Sequence, residues 1–451
     1  MKNFFMGVVI FLLSVLLTRN SIPADHYIRA DAAGDNKGSD WTNAFTAFPS
    51  SYTRGDTYYI APGTYSGNVD IASGESGFTW IYFKKATGEE HGTSVGWNDS
   101  YATGQAVING RLYINNSYID FDGITGSWNN GYGIKISAGS CSPGGVIELA
   151  SGVSHVHVHH VEVSAVFESP ASCDLFYHAG GSASDIKVSH SWLHDCSRNG
   201  LTIGSHQGTG WADGDLGFLF EYNLLEKTGG CTNPDTHGQG VQGGYSSTQR
   251  YHIYRGNTFK DIIGSANIAF LGGTKNSYIR IYNNQFTSSG ALGVYWSSPA
   301  VIWIHDANGA SADNVGIYNN TFYNVTLAQI QIWPKGSGNE SINNLYISNF
   351  FSAGNNGISS RYNSYYGNTG AGVPVGETGQ QNEVSNPVTN AAANDFTLVK
   401  GAKAINNGTS LSSYFNTDIA GIPRPQGSAW DIGAHEFKWN KPNPPTNVRV
   451  E

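Results

Sequence analysis

A short pattern recurs along the middle of the chain: apolar, polar, apolar, one or two small polar residues (often Asn), then an aromatic or aliphatic residue. It reads Val156-His-Val158-His-His160-Val-Glu-Val163, Ile186-Lys-Val188-Ser-His190-Ser-Trp-Leu193, Phe218-Leu-Phe220-Glu-Tyr222-Asn223-Leu-Leu225 and His252-Ile-Tyr254-Arg-Gly-Asn257-Thr-Phe259. The clearest copies are Ile279-Arg-Ile281-Tyr-Asn-Asn284-Gln-Phe286 and Val315-Gly-Ile317-Tyr-Asn-Asn320-Thr-Phe322, and a weaker one, Ile119-Asp-Phe121-Asp-Gly-Ile124, lies upstream. Aligned on Val158, Val188, Phe220, Tyr254, Ile281 and Ile317, the copies stand 30, 32, 34, 27 and 36 residues apart. Variable spacing around a fixed kernel means one structural turn per copy, with loops of differing length between strands. The kernel alternates with period two, so it is strand rather than helix. One such turn cannot bury its apolar face alone; neighbours must stack and share a continuous core. Asn at the kernel's corner bends the chain, because it tolerates left-handed φ and bonds its own backbone. Stacked Asn side chains also bond one another along the pile. This is the logic of an all-β parallel β-helix of nine or ten coils. A β-sandwich is the alternative, but it needs hairpin turns every 8–12 residues or so, and Asn-Gly or Asp-Gly hairpins do not dominate.

Composition narrows the function classes. Charged residues are 13% of the chain, aromatics 13%, and glycine accounts for 57 of 451 residues, which excludes a disordered or coiled-coil chain. Lys and Arg number 25 against 34 Asp and Glu, so a nucleic-acid partner is not expected. Residues 1–24 read as a secretory signal: Lys2, an apolar run from Phe4 to Leu17, and a small-residue exit ending at Ala24. Its cleavage would remove Lys2 and Arg19 and no acid, taking the formal charge from −9 to −11. The run is short for a membrane span, and no other segment is long enough to be one. The expected location is therefore secreted or cell-surface. Cys141 and Cys173 are 32 residues apart, Cys196 and Cys231 35 apart. Both separations match the repeat, so each pair is expected to bridge adjacent turns in an oxidising compartment.

The kernels, with the entry segment Tyr27-Ile-Arg-Ala-Asp-Ala-Ala-Gly-Asp-Asn-Lys-Gly-Ser-Asp-Trp41-Thr-Asn-Ala-Phe45, resemble right-handed parallel β-helix proteins of the pectate-lyase-like superfamily. The resemblance implies a cap made of a strand and a short helix (about Trp41 to Phe48) before Asp56-Thr-Tyr-Tyr-Ile60 begins the first coil. Asp395–Leu398, Gly401–Gly408, Asp418–Pro425 and Asp431–Phe437 resemble the closing segment of bacterial surface proteins with a choice-of-anchor region. Together these give a β-helix over 25–375, a closing segment over 376–437 and a Pro-rich tail over 438–451. The resemblance implies action on polysaccharide without fixing the reaction.

For chemistry, a second row of strands aligns Gly200–Ile203, Gly238–Gln242, Asn267–Leu271, Leu292–Trp296 and Gln329–Trp333. With Ile203, Val241, Val294, Ile330 and Ile332 inward, Thr202, Gln242, Tyr295, Gln329, Gln331 and Trp333 point outward as an uncharged, aromatic and amide-rich ladder. Such a row stacks on sugar rings and bonds hydroxyls, so Gln242, Tyr295, Gln331 and Trp333 are the candidate substrate-binding residues; a ladder packed under a loop is the alternative. Reactive groups flank the row: Arg198 and Asn199, Asp235-Thr-His237, Ser205-His206-Gln207 and Lys275. Lyase chemistry on a uronate needs a cation for the carboxylate, a base for the C–H proton and a donor for the leaving oxygen. Arg198 or Lys275 serves as the cation and His237 as the base. A hydrolase would need two facing carboxylates, for which Asp213, Asp215 and Asp235 are the nearest acids. His155, His157, His159 and His160 suggest zinc, but strand alternation puts His160 opposite His157 and His159, and a solvated His ladder is the favoured reading. Asp213-Gly-Asp215 resembles part of a Ca²⁺ loop, yet Ca²⁺ wants six to eight oxygens. Gly240 and Gln242 also stand where Ca²⁺-dependent relatives tend to carry acids. No cofactor is expected, Ca²⁺ lacking a ligand cluster. Two functions remain: a polysaccharide lyase or glycoside hydrolase, or a non-catalytic glycan-binding adhesin or surface-assembly subunit that self-associates.

Overall fold

The computed structural model describes residues 23–439 apart from 140, 142–143, 170–171, 231–237, 244–246, 272–274, 289–299, 306–310, 327–329, 333–335 and 352–357. Three long sheets, parallel throughout, wind around one core. In each turn the chain passes through the first sheet, then the second, then the third, as in Ile186–Ser189, Trp192–Cys196 and Leu201–His206. The first and second sheets hold twelve strands each and the third nine, so nine turns carry all three sheets among the described residues. The chain is a parallel β-helix.

The kernels pair in the register their sequences set. Phe121 lies opposite Val158, Val158 opposite Val188, Val188 opposite Phe220, Phe220 opposite Tyr254, Tyr254 opposite Ile281 and Ile281 opposite Ile317. All are buried in one continuous core that also takes in Ile203, Val241, Ile330 and Ile332. Under the second sheet, Phe259, Phe286, Phe322, Tyr346 and Tyr365 form a stack with ring centroids 4.9, 4.8, 4.7 and 5.2 Å apart. These spacings follow the ~4.8 Å rise between strands, so the backbone ladder itself sets the stacking. Each such pair adds about 0.5–1.5 kcal/mol beyond burial.

The corner between first and second sheets takes two residues, and their tasks are separate. The first adopts the left-handed conformation: His160, His190, Tyr222, Asn283, Asn319 and Asn343 all have φ near +50°. The second turns inward, and from Asn223 upward it is Asn: 223, 257, 284, 320, 344 and 363. Each ladder Asn accepts a backbone N–H from the turn below and donates to a carbonyl there, as Asn284 does with Asn257 N (2.9 Å) and Tyr254 O (2.9 Å). Its amide also donates to Asn320 Oδ1 above at 3.0 Å.

The ends differ from expectation in one respect. Asp25–Ile28 caps the first sheet as a strand, but no helix follows over 41–48; Phe45 instead forms a bridge to Ile28. The three buried rings of Trp41, Tyr27 and Tyr59 fix this segment by packing, leaving no need for helical hydrogen bonds. Beyond the last turns, 388–437 folds back along the first–second corner rather than across the axis. It covers Ile342, Leu345, Ile347 and Tyr318 with Trp430, Phe396, Leu411 and Ile432. No helix among the described residues is long and apolar enough to cross a membrane.

Candidate functional site

Strand register defines the outward row of the third sheet: Tyr113, Glu148, Tyr177, Thr202, Gln242, Ala269, Trp303 and Gln331, each opposite the next. Two corrections to the sequence reading follow. The place assigned to Leu292–Trp296 belongs to Ile302–His305, whose Trp303 faces Ala269 and Gln331; Tyr295 lies outside the described residues, as does Trp333. Gln242 and Gln331 stand in the row as expected but are 8% and 4% exposed, so they do not line an open groove. Alternation along a strand tells which face a side chain takes, not what covers that face. Lower on the same row, Tyr113, Glu148 and Tyr177 remain partly exposed, and Arg111 sits over the Tyr113 ring at 4.6 Å.

Arg198 lies at the corner leading into this sheet, with a side chain 30% exposed and Nη1 3.6 Å from Asp174 Oδ2. Asp174 is fully buried. Its Oδ1 accepts the backbone N–H of Asn199 (3.0 Å), while its Oδ2 has no hydrogen-bond partner. Burial pushes its pKa up and the Arg198 charge opposes this. Asn199 ties the corner together: its amide donates to Thr202 Oγ1 at 2.8 Å and to Gln242 Oε1, and its own oxygen accepts Gln239 N at 2.9 Å. A Cβ on Gly238 would lie 3.2 Å from the Arg198 carbonyl and 2.1 Å from Gly229 Cα, so the strand entry beside Arg198 admits only glycine. Asp174 escaped the sequence reading because it begins a strand without a motif; only its pairing across from Asn199 reveals it.

The remaining assignments separate. His237 and Asp235 lie outside the described residues. Lys275 is exposed at the start of a first-sheet strand, 3.9 Å from Asp313. It is two turns above Arg198 and across the third sheet's width, so the two cations do not converge. Asp213 reaches Lys187 on the first sheet rather than the third. His206 is wholly buried inside the coil. Cys141 and Cys173 are joined as expected. The second bridge is not formed: Cys196 is a buried free thiol whose Sγ approaches Asn199 O at 3.2 Å, and Cys231 lies outside the described residues. Its interior position gives that thiol a raised pKa through burial, which makes it inert.

Two clefts open on the second-sheet side and meet at Tyr132. One, of about 410 Å³, is lined by Trp128, Tyr132, His190, Tyr222, Phe396 and His435. The other, of about 370 Å³, is lined by Lys85, Gln105, Tyr132 and Glu162. Burial lowers the Lys85 pKa to about 8, with its ammonium donating to the carbonyls of Ala86 (2.6 Å) and Tyr101 (3.0 Å). Burial would raise Glu162, but hydrogen bonds from His194, Lys135 and Gln105 outweigh it and bring the pKa to about 2. On the first sheet's outer face, Asp120, Asp122 and Asp185 interleave with His155, His157, His159 and His160.

Pectate lyase Pel9A superposes on this chain with a TM-score of 0.53, over 93% of it and 97% of Pel9A, at 16% identity. The fold is that of pectate lyase. A rhamnogalacturonan lyase also matches (TM-score 0.40, 11% identity, 90% of this chain and 96% of that one). An alginate lyase from Paenibacillus sp. str. FPU-7 is a further match (TM-score 0.34, 15% identity, 73% of this chain and 92% of that one). No protein-family profile and no curated protein sequence matches the chain.

Proposed function

We propose that this pectate-lyase-like β-helix is a secreted enzyme that cleaves an acidic polysaccharide by β-elimination, with Arg198 as the cation that neutralises the uronate carboxylate. The observation that carries this reading is the pairing of Arg198 with a buried carboxylate. Buried Asp174 faces the guanidinium at 3.6 Å while the Arg198 side chain stays partly exposed at the sheet corner. A fixed cation of this kind lowers the barrier because its charge is oriented before the substrate's carboxylate becomes enolate-like, at no cost in reorganisation. The base in this reading is His237. Its sequence neighbour Gly238 packs against the Arg198 backbone, and Gln239 N is bound by Asn199 Oδ1, which supports His237 and Arg198 acting on one sugar. Tyr113, Glu148 and Tyr177 continue the outward row below the corner and would carry the chain's next residues.

The test is the ultraviolet absorbance of the unsaturated uronate product on a panel of pectate, alginate and other uronate polymers. Activity on at least one is expected. Arg198→Ala and His237→Ala should each lower kcat by about 10²–10³-fold, the usual loss for one preorganised charge partner. Unchanged turnover in both variants would refute the assignment. Glycan binding without cleavage is the second reading, favoured by the aromatic cleft at Trp128, Tyr132 and Tyr222. Saturable binding of a polysaccharide with no unsaturated ends and no new reducing ends would establish it.

A further inference from the structure

We propose that Asp122, His159 and His160 bind a divalent transition-metal ion of the Zn²⁺ class on the first sheet's outer face. The three ligand atoms lie within 4.8 Å of one another. Parallel pairing puts them there: His159 is directly opposite Asp122, and His157 opposite Asp120, on neighbouring turns. Strand alternation would send His160 to the opposite face from His159. It does not, because His160 is the left-handed corner residue (φ 52°), and this brings its ring back beside Asp122. His160 Nδ1 is 2.9 Å, and His159 Nδ1 3.7 Å, from Asp122 Oδ1. Ligands about 2.0–2.2 Å from a tetrahedral Zn²⁺ stand roughly 3.3–3.5 Å apart, so the two separations bracket the spacing a bound ion requires.

The surroundings are those of a metal centre. His159 Nε2 is 3.2 Å from both oxygens of Asp120, so the neutral ring that donates its N–H there has Nδ1 as its ligating lone pair. A carboxylate behind a ligating imidazole is the usual outer partner in such sites. Asp122 Oδ1 also accepts the Ile124 backbone N–H at 2.6 Å, which fixes the carboxylate. Other charges on the face are engaged among themselves. Asp185 pairs with His155, His157 and Lys187, and Lys187 also reaches Asp213. From the next turn His190 stacks on His160 at 5.1 Å. Two imidazoles and one carboxylate suit Zn²⁺ and offer too few oxygens for Ca²⁺. Three protein ligands leave a coordination position open to solvent, and the three side chains are partly exposed, at 15%, 24% and 27%. Ligation through His160 Nδ1 places that ring's single proton on Nε2, a change of tautomer that leaves the ring neutral.

The experiment is calorimetric titration of Zn²⁺ into chelator-treated full-length protein, with Co²⁺ as a visible-absorption probe. One equivalent bound and a four-coordinate Co²⁺ spectrum are expected. Asp122→Asn and His160→Ala should each weaken Zn²⁺ at least about 100-fold, and Asp120→Asn about 10–100-fold. His155→Ala, which removes a His of the same ladder outside the ligand set, should keep wild-type affinity. His160→Gln, closer in size, serves if His160→Ala loses the native circular-dichroism spectrum. Failure to bind one equivalent, or binding that Asp122→Asn and the His160 variants leave unchanged while His155→Ala weakens it, would overturn the site.

Discussion

At the residue scale, one interior histidine, His206, is the clearest departure from what alternation along the strand dictates. It belongs to a buried group: His178 and His206 lie on adjacent third-sheet strands and His252 on a first-sheet strand, all with no solvent exposure. His206 Nε2 is 2.9 Å from His178 Nδ1, and His252 Nε2 is 2.9 Å from the His206 carbonyl. With Leu201 and Ile203 pointing inward, simple alternation sends His206 outward, which is why it read as a flanking reactive group. The alternation is broken where the pairing with the preceding strand is irregular: the register shifts between His178 and Ser182, Ala183 comes opposite His206, and His206 lies in the core. Burial lowers the pKa of His178 and His252 to about 4 and holds His206 well below its ordinary value. The native state therefore keeps all three neutral at pH values where the unfolded chain, titrating near 6.5, takes up protons. Their stabilising contribution is complete above about pH 6.5 and is lost as the pH falls toward 4. It is on the order of 3 kcal/mol for each of His178 and His252 at full effect. Urea midpoints measured from pH 8 to 4.5 should fall below pH 6.5, and His252→Gln should flatten that fall. A slope identical in wild type and variant would show that these groups are not the cause.

At the element scale, the Asn ladder joins one turn to the next, and its energetics follow from what each amide leaves behind. Removing the Asn284 side chain orphans the backbone N–H of Asn257, the amide of Asn257 and the carbonyl of Tyr254. Each buried group so stranded costs about 1–3 kcal/mol, so Asn284→Ala should lower unfolding stability by roughly 3 kcal/mol or more in denaturant titration. The neighbouring left-handed residue behaves oppositely: Tyr222→Gly is expected to be tolerated within about 1 kcal/mol, because glycine adopts φ 53° freely and Tyr222 is 39% exposed. Equal losses in the two variants would contradict this separation of tasks. The kernel made this much legible from sequence, since the aligned apolar positions are the ones that pair. The two-residue corner was only half legible: the text shows Asn-Asn in the upper turns, but not that the first bends the chain and the second bonds. The candidate site was less legible still. Arg198 could be singled out as a cation beside a strand, whereas Asp174 is brought to it across 24 residues of chain by stacking. The coverage of Gln242 and Gln331 depends on segments outside the strand that carries them.

At the scale of the whole molecule, the upper turns owe their closure to chain that is not part of the coil. Asn283, Asn319 and Asn343, the bending residues of three successive corners, extend amides outward to Thr417 O, to Asp431 O and Gly433 O, and to Thr409 O. The folded-back segment is fixed by Arg424, which is wholly buried against Glu436 at 2.9 Å and donates also to the carbonyls of Asp431 and Gly433. Removing one member of such a pair strands the other in the interior and costs about 3–5 kcal/mol. That cost falls on the segment rather than on the coil, whose own hydrogen bonds stay within and between turns. Arg424→Ala should therefore detach the segment before the coil unfolds, exposing Ile342, Leu345 and Ile347 on its outer face. The expected signature is increased binding of a hydrophobic fluorescent dye and concentration-dependent association, with the far-ultraviolet β signal retained. The Arg198 corner lies on another edge, several turns below, so turnover per folded molecule should persist in dilute solution. A single transition in which the β signal and dye response change together would mean instead that segment and coil fold as one unit.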